Sequence, residues 1–303
     1  MTTFRNMLIV NQMRQIEHPF LTFDVIAETG ADVFNLRIFG AGTNVYWGDG
    51  TVSFCGGDTP DVSHTFAPGT YTISLERSAY VYGFSVLGAT CNIVESNEAW
   101  MALPNMTSLQ FYSCVNSQLE IKSLPESVRE TSWKYAFQGS SNALLPLRKL
   151  PSNIVESLCM FDSCTSATLP FEELPKTLRG NCRSTFYDCR DAVFKITHIP
   201  DAVVDMTGFA YRCAKASITL DRLPAAAESI EAAFFESGLV ANLDEIAANA
   251  PEGGYTALTT FKSAFTNCQG VTGSRSAFLA ACPNLQMSDD DIAFAFANTS
   301  TTA

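Results

Sequence analysis

The sequence predicts a small β-sandwich followed by an α/β repeat solenoid with a short parallel sheet. Three observations predict it. From Phe20 to about Gly88 the chain is rich in Val, Ile, Tyr, Phe and Thr, with Gly, Pro and Asp between the runs. From Phe111 onward a short motif recurs at a nearly fixed spacing. Within each recurrence two apolar residues alternate and then meet an aliphatic-proline pair.

In chain order, residues 1–20 come first. Met7-Leu-Ile-Val10 is their apolar run, and it is too short for the core of a secretory signal. The chain is therefore expected to be made in a cytoplasm and kept there, or released without the general export route. The segment reads either as an arm that docks on a neighbouring subunit or as the lead-in to a first strand. Candidate strands lie at Leu21–Ala27, Phe34–Phe39, Asn44–Trp47, Thr51–Cys55, Thr70–Glu76 and Tyr80–Leu87. Asp49-Gly50 supplies a tight turn, because Asp-Gly favours positive φ. In order and spacing, Trp47-Gly-Asp-Gly50 and His64-Thr-Phe-Ala-Pro-Gly-Thr-Tyr71 resemble elements of the PKD-type immunoglobulin-like domain. The resemblance implies a sandwich over 21–90 that serves as a spacer or attachment module, without catalysis. Residues 91–105 read as a junction, with Trp100 and Leu103 covering the open end of the repeat region.

The repeat begins with Phe111-Tyr-Ser-Cys114. It returns as Phe137-Gln-Gly-Ser140, Phe161-Asp-Ser-Cys164, Phe186-Tyr-Asp-Cys189, Ala210-Tyr-Arg-Cys213, Phe235-Glu-Ser-Gly238 and Phe265-Thr-Asn-Cys268. The first six copies start 24 to 26 residues apart and the seventh 30 residues later. Such a period marks a solenoid, whose units bury their apolar sides against one another. Apolar pairs such as Leu119/Ile121, Leu169/Phe171 and Ile218/Leu220 predict one short strand per coil with one face buried. Leu124-Pro125, Leu150-Pro151, Leu174-Pro175, Ile199-Pro200 and Leu223-Pro224 end those strands. The stretch leading into each Phe is expected to form a short helical turn. The pattern resembles the BspA-like leucine-rich repeats of bacterial and bacteriophage surface proteins, over roughly residues 100 to 270. It departs at Leu243, Ile246 and Pro251-Glu-Gly-Gly254, and copy seven lacks the Leu-Pro pair. The expected boundaries are 106–286 for the solenoid and 287–303 for a C-terminal capping helix and tail.

Composition narrows the function. A hydrophobic fraction of 47% with 17% charged residues is globular. A net charge of -12 opposes binding to nucleic acid or to an anionic membrane surface. No stretch is long enough to span a bilayer. Cys114, Cys164, Cys189, Cys213 and Cys268 share one repeat position, which Ser140 and Gly238 also occupy, so they read as a structural column of buried thiols. Helical turns of adjacent coils would sit roughly 10 Å apart, beyond disulfide reach of about 7 Å. Cys159 and Cys182 lie off the column, and a bridge there stays open. No Cys-His pair has metal-ligand spacing. Asp289-Asp-Asp291 after Ser288 reads as a capped helix start rather than a calcium site. Asp49, Asp58 and Asp61 are a weaker cation candidate.

The outward sheet face is the candidate binding surface. Glu120, Lys195 and Thr219 fall in one expected column with Pro146 and Pro170. Lys122, Arg148, Glu172, Thr197 and Asp221 fall in the next. These positions are polar, mixed in sign and poor in aromatics, which suits a protein partner or plain solvent and not a stacking platform. No nucleophile motif accompanies His198, and no cofactor is expected. The resemblance and the export reading together imply a non-enzymatic structural and binding protein on a bacteriophage virion, as a head decoration, collar or tail-fibre component. It would be attached through its N-terminal part, in an oligomeric assembly with other virion or surface proteins. The alternative is a bacterial cell-surface adhesin.

Overall fold

The structure, a computed structural model, describes residues 20–97, 99–115, 117–128, 133–147 and 149–302. The expected N-terminal arm, apart from Phe20, lies outside them, as does Arg148. The chain opens with β1 (Leu21–Ala27), β2 (Asp32–Gly40), β3 (Thr43–Tyr46), β4 (Val52–Cys55), β5 (Asp61–Phe66), β6 (Gly69–Leu75), β7 (Val81–Leu87), β8 (Asn92–Glu95) and β9 (Ser108–Tyr112). Shorter strands come next: β10 (Gln118–Glu120), β11 (Asn142–Leu144), β12 (Thr168–Leu169), β13 (Gly180–Asn181), β14 (Val193–Ile196), β15 (Val203–Asp205), β16 (Ser217–Leu220) and β17 (Leu239–Asn242). The last elements are α1 (Leu243–Ala248), β18 (Gly270–Ser274), α2 (Arg275–Ala280), α3 (Asp289–Ala295) and β19 (Ser300–Thr302).

The architecture is mostly β, with a β-solenoid of about 9 turns. One sheet of 13 strands runs β4-β3-β6-β1-β8-β10-β11-β12-β14-β16-β17-β18-β19. A second sheet has the order β5-β2-β7-β9. The long sheet is antiparallel up to β8 and parallel from β8 onward. The two sheets meet through aromatic pairs: Phe23 with Phe84 at 5.8 Å and Phe34 with Trp47 at 6.0 Å. β5 is not among the expected strands, because it alternates polar residues on an edge and buries only Phe66. The junction expected over 91–105 contains β8, which is already the first strand of the solenoid. Trp100 therefore sits at a seam, not at an open end. It packs edge-on against Phe23 and Phe84 and donates its indole N–H to Ser123 O at 3.2 Å. Buried Glu95 stitches the same seam, accepting from Lys122 N at 2.8 Å and Ser123 N at 2.9 Å.

Each coil has a strand side and a turn side. Leu119, Ile121, Leu145, Leu169, Phe171, Phe194, Ile196, Ile218 and Leu220 are buried, as the alternation requires; Leu147, expected to pair with Leu145, is only half-buried, and Ala143 and Leu145 are the buried pair of that coil. At the corner the proline carbonyl accepts from the apolar residue three positions on, as in Leu178 N to Pro175 O (3.0 Å) and Val203 N to Pro200 O (3.1 Å). That turn folds Val128, Ile154, Leu178, Val203 and Ala227 into the core.

The turn side overturns the expected helical turn. It is a hydrogen-bonded ladder between coils. Tyr135, Phe137 and Gly139 donate their N–H groups to Leu158, Met160 and Asp162 of the next coil at 3.0, 2.8 and 2.8 Å. Ser184, Phe186 and Asp188 do the same to Thr207, Phe209 and Tyr211. The residues two positions either side of the Phe site have left-handed backbones, for example Cys159 (φ 51°) and Ser163 (φ 59°), or Ser184 (φ 53°) and Asp188 (φ 57°). Left-handed residues at intervals of four cannot propagate a helix. They aim alternate N–H groups along the solenoid axis instead. Adjacent turns consequently stack at strand-like spacing, and the expected separation of roughly 10 Å does not hold.

The Phe rings form a column inside. Phe111–Phe137, Phe137–Phe161 and Phe161–Phe186 stack at 5.7, 5.5 and 5.4 Å with planes within 10°. Ala210 takes the site in the next copy, and Phe209 fills the gap edge-on against Phe186. In copy six the site residue is Phe234, not Phe235, because Phe234 N donates to Ala264 O at 3.0 Å. The solenoid also does not stop at copy seven. Phe296 stacks on Phe265 at 5.6 Å, Asn298 repeats the left-handed backbone (φ 56°), and β19 pairs with β18. The Arg275 guanidinium carbon lies over the Phe296 ring, 5.4 Å from its centre.

Phe161→Ala and Phe186→Ala should each cost about 3–5 kcal/mol in equilibrium urea unfolding, since each ring fills the space between two coils. Lys195→Ala, on the exposed side of β14, should cost under about 0.5 kcal/mol. Equal losses from both classes would invert the assigned faces.

Candidate functional site

The outer sheet face keeps its predicted direction but not its predicted columns. Glu172, Lys195, Thr197, Thr219 and Asp221 are exposed, while Glu120 and Lys122 are half-buried. Glu120 lies opposite Val94 and Leu144, not beside Pro146. The row continues through Thr168 and Val193. At β14 and β16 the register moves again, and Lys195 lies opposite Ser217, not Thr219. Thr219 pairs instead with Val240. Both slips are by two residues, so inward and outward faces are preserved while neighbours change. The resulting surface is a mosaic, with exposed Val193 and Val240 among Thr, Ser and Lys.

The thiol column is a hydrogen-bond device. Cys164, Cys189, Cys213 and Cys268 donate from Sγ to the carbonyl oxygens of Phe137, Phe161, Phe186 and Phe234 in the preceding coil, at 2.9, 2.9, 2.8 and 2.7 Å. Ser140 does the same to Phe111 O at 2.5 Å. The site needs a small side chain with one donor, which Cys and Ser both supply. Ser237, not Gly238, holds it in copy six, within 3.7 Å of Cys268 Sγ. Gly238 is glycine for another reason: a Cβ there would lie 2.1 Å from Ala216 O. All ten cysteines are free, Cys159 and Cys182 included. Burial pushes the thiols up: Cys182 to about 11, Cys91 and Cys282 to about 12, and Cys114, Cys164, Cys189 and Cys268 above the ordinary value.

Two features of the turn ridge are not expected from the sequence. Tyr187, Tyr211 and Phe235 stack on the outside at 4.6 and 5.0 Å. Their shared position, one after the Phe site, is visible in the sequence only once copy six is read from Phe234. Beside them a polar ladder climbs the coils: Arg212 Nε donates to Glu236 at 3.1 Å, Asn267 to Glu236 at 3.2 Å and Asn298 to Asn267 at 2.6 Å.

Of the carboxylates considered for a cation, Asp49, Asp61 and Asp291 are engaged by protein groups. Asp49 accepts from Thr51 N at 2.9 Å and contacts His64 Nε2 at 2.9 Å. Asp61 chelates Arg37, whose hydrogen bonds hold the Asp61 carboxyl below its usual value. Asp291 follows the capping reading, with its N–H donating to Ser288 Oγ at 3.1 Å. Among the described residues no group of three or more His, Cys, Asp or Glu could hold a metal ion, and no helix is long and apolar enough to cross a membrane. Comparison with protein-family models, curated proteins and solved structures finds no match.

Thiols whose folded pKa lies above the ordinary 9.0 favour the folded state below that pH. Their contribution fades as pH rises through the folded values. The melting temperature should hold steady to about pH 9 and fall toward pH 11–12. Iodoacetamide at about pH 8 should label half-buried Cys159 ahead of Cys164, Cys189 and Cys213. Rapid native labelling of the column would refute its burial.

Proposed function

We propose that this chain is a non-enzymatic structural and binding protein, displayed on a bacteriophage virion as a head decoration, collar or tail-fibre component. The observation that carries the reading is the single sheet of 13 strands, which joins the N-terminal sheets to the last coil without a linker. At about 4.8 Å per strand, the part from β8 to β19 forms a rod about 40 Å long. Such a rod holds its outer surface at a fixed distance from its point of attachment. The inner columns are taken up by Phe rings and thiols, which leaves the outward mosaic and the loops for contact. The likeness of Trp47-Gly-Asp-Gly50 to PKD-type domains and of the coils to BspA-like repeats supports the same reading. Attachment through residues 1–20 and the adjoining strands would point the coils outward, in an oligomeric assembly with other virion proteins.

Particles purified on a density gradient should contain the chain by mass spectrometry. A peptide tag inserted in the Pro251–Gly254 loop should be reachable by antibody on intact particles, and a tag at Met1 should not. Recovery only from the soluble fraction would sink the virion reading, and recovery from the cell envelope would favour the adhesin. Reversed labelling would reverse the polarity.

A further inference from the structure

We propose that the open edge of the 13-stranded sheet, strand β4, is completed by residues 4–10 of the same chain. The inference goes beyond the display reading and does not depend on it, since it concerns the isolated chain.

Strand β4 ends the sheet order, with β3 on its inner side. The hydrogen bonds around β3 fix which way the β4 backbone groups point. Trp47 N donates to Thr51 O at 3.1 Å across the hairpin, and Glu76 N donates to Asn44 O at 3.3 Å on the far side of β3. Bonding alternates along an antiparallel pair. Ser53, opposite Val45, and Cys55, opposite Thr43, therefore bond to β3. The N–H and C=O groups of Val52 and Phe54 face away from β3, at the open edge. Their side chains leave these residues 54% and 53% exposed. Other edges are blunted. Strand β5 follows Pro60 and carries Asp61 and His64, and β19 is Ser-Thr-Thr. Strand β4 is Val-Ser-Phe-Cys, with no charge, no proline and no bulge in its pairing. An uncharged apolar edge of this kind is a template for one more strand.

Reach, pattern and charge select the occupant. Residues 4–10 lie outside the described part of the chain, which begins at Phe20. Leu21 lies opposite Leu75, Leu75 opposite Val45, and Val45 opposite Ser53. The chain thus enters β1 level with the middle of β4 and three strands away, a distance of about 14 Å. Residues 11–19 can span up to about 30 Å, so residues 4–10 reach the edge of their own molecule. Their sequence, Phe4-Arg-Asn-Met-Leu-Ile-Val10, holds no proline, glycine or acid. Its apolar side chains suit a place beside Val52 and Phe54. Residues 1–19 carry Arg5 and Arg14 against Glu17. Residues 20–110 carry no Lys, and Arg only at Arg37 and Arg77, against acids from Asp24 to Glu98. Asp49 and Asp58 flank β4 itself. A second copy's β4 would bring two acidic edges together, whereas Arg5 and Arg14 bring the opposite charge. A short tether also holds the segment at roughly millimolar effective concentration, which favours its own edge over that of another copy.

The test places the photo-crosslinker p-benzoylphenylalanine at position 54 of the full chain, and at exposed Val240 as a control. A dilute mixture of light and heavy-isotope chains is irradiated, and the joined peptides are read by mass spectrometry. Position 54 should capture residues 1–14 of its own chain, and position 240 should not. Amide hydrogen exchange gives a second reading without the crosslinker. Val52 and Phe54 should exchange about tenfold more slowly in the wild type than in Leu8→Asp. Leu8→Asp changes no residue of the described fold, so lost protection confined to β4 reports the segment and not unfolding. Absence of crosslinks from position 54 to residues 1–14, crosslinks that join light to heavy chains, or equal exchange in Leu8→Asp would each overturn the proposal.

Discussion

The constraint on which the rest depends is the coil-to-coil hydrogen bond. Strands β8 to β19 bond along one side, and the turn segments bond along the other, as from Phe161 N to Thr185 O at 2.8 Å. Two ladders on opposite sides hold the coils parallel and close. Every side chain inside must then sit directly above its counterpart at nearly the strand spacing. An aromatic ring meets that condition by lying flat, and the Phe column does so with planes within 10° over its first four members. A cysteine meets it by being small and by bonding the carbonyl above.

The same constraint explains the unusual backbone. Left-handed residues that are not glycine carry strain and are uncommon. Here they recur at Cys159, Ser163, Ser184, Asp188, Arg212 and Glu236. The gain is that every second N–H points to the next coil, so turn-side donors that no helix would satisfy still reach a carbonyl. Ser, Asp and Asn fill several of these positions, which suits their tolerance of that conformation.

Much of this was legible in the sequence. The period, the buried pair of most coils and the corner proline followed from residue spacing alone, and so did the small site at Cys114, Cys164, Cys189 and Cys213. The turn ladder was not legible, because no residue type announces a left-handed backbone at Arg212 or Cys159. The register of copy six was ambiguous because Phe234 and Phe235 are adjacent, and the choice needs the partner of Phe234 N. The neighbours on the outer face were hidden for a related reason. Slips of two residues between strands leave burial unchanged, so the hydrophobic pattern carries no trace of them.

The contact at Arg275 bears on how such a chain can change. Its guanidinium lies over the Phe296 ring and donates from Nε to Thr301 Oγ1 at 2.6 Å, tying the start of α2 to the last strand. At the other end, β7 and β8 template the first coil. The coils between them are modular. Duplication or loss of a whole coil between the two leaves both sets of contacts intact, because each coil is recognised only by its neighbours. Reach is thus an inherited quantity that can vary in unit steps of one coil, without redesign of either end.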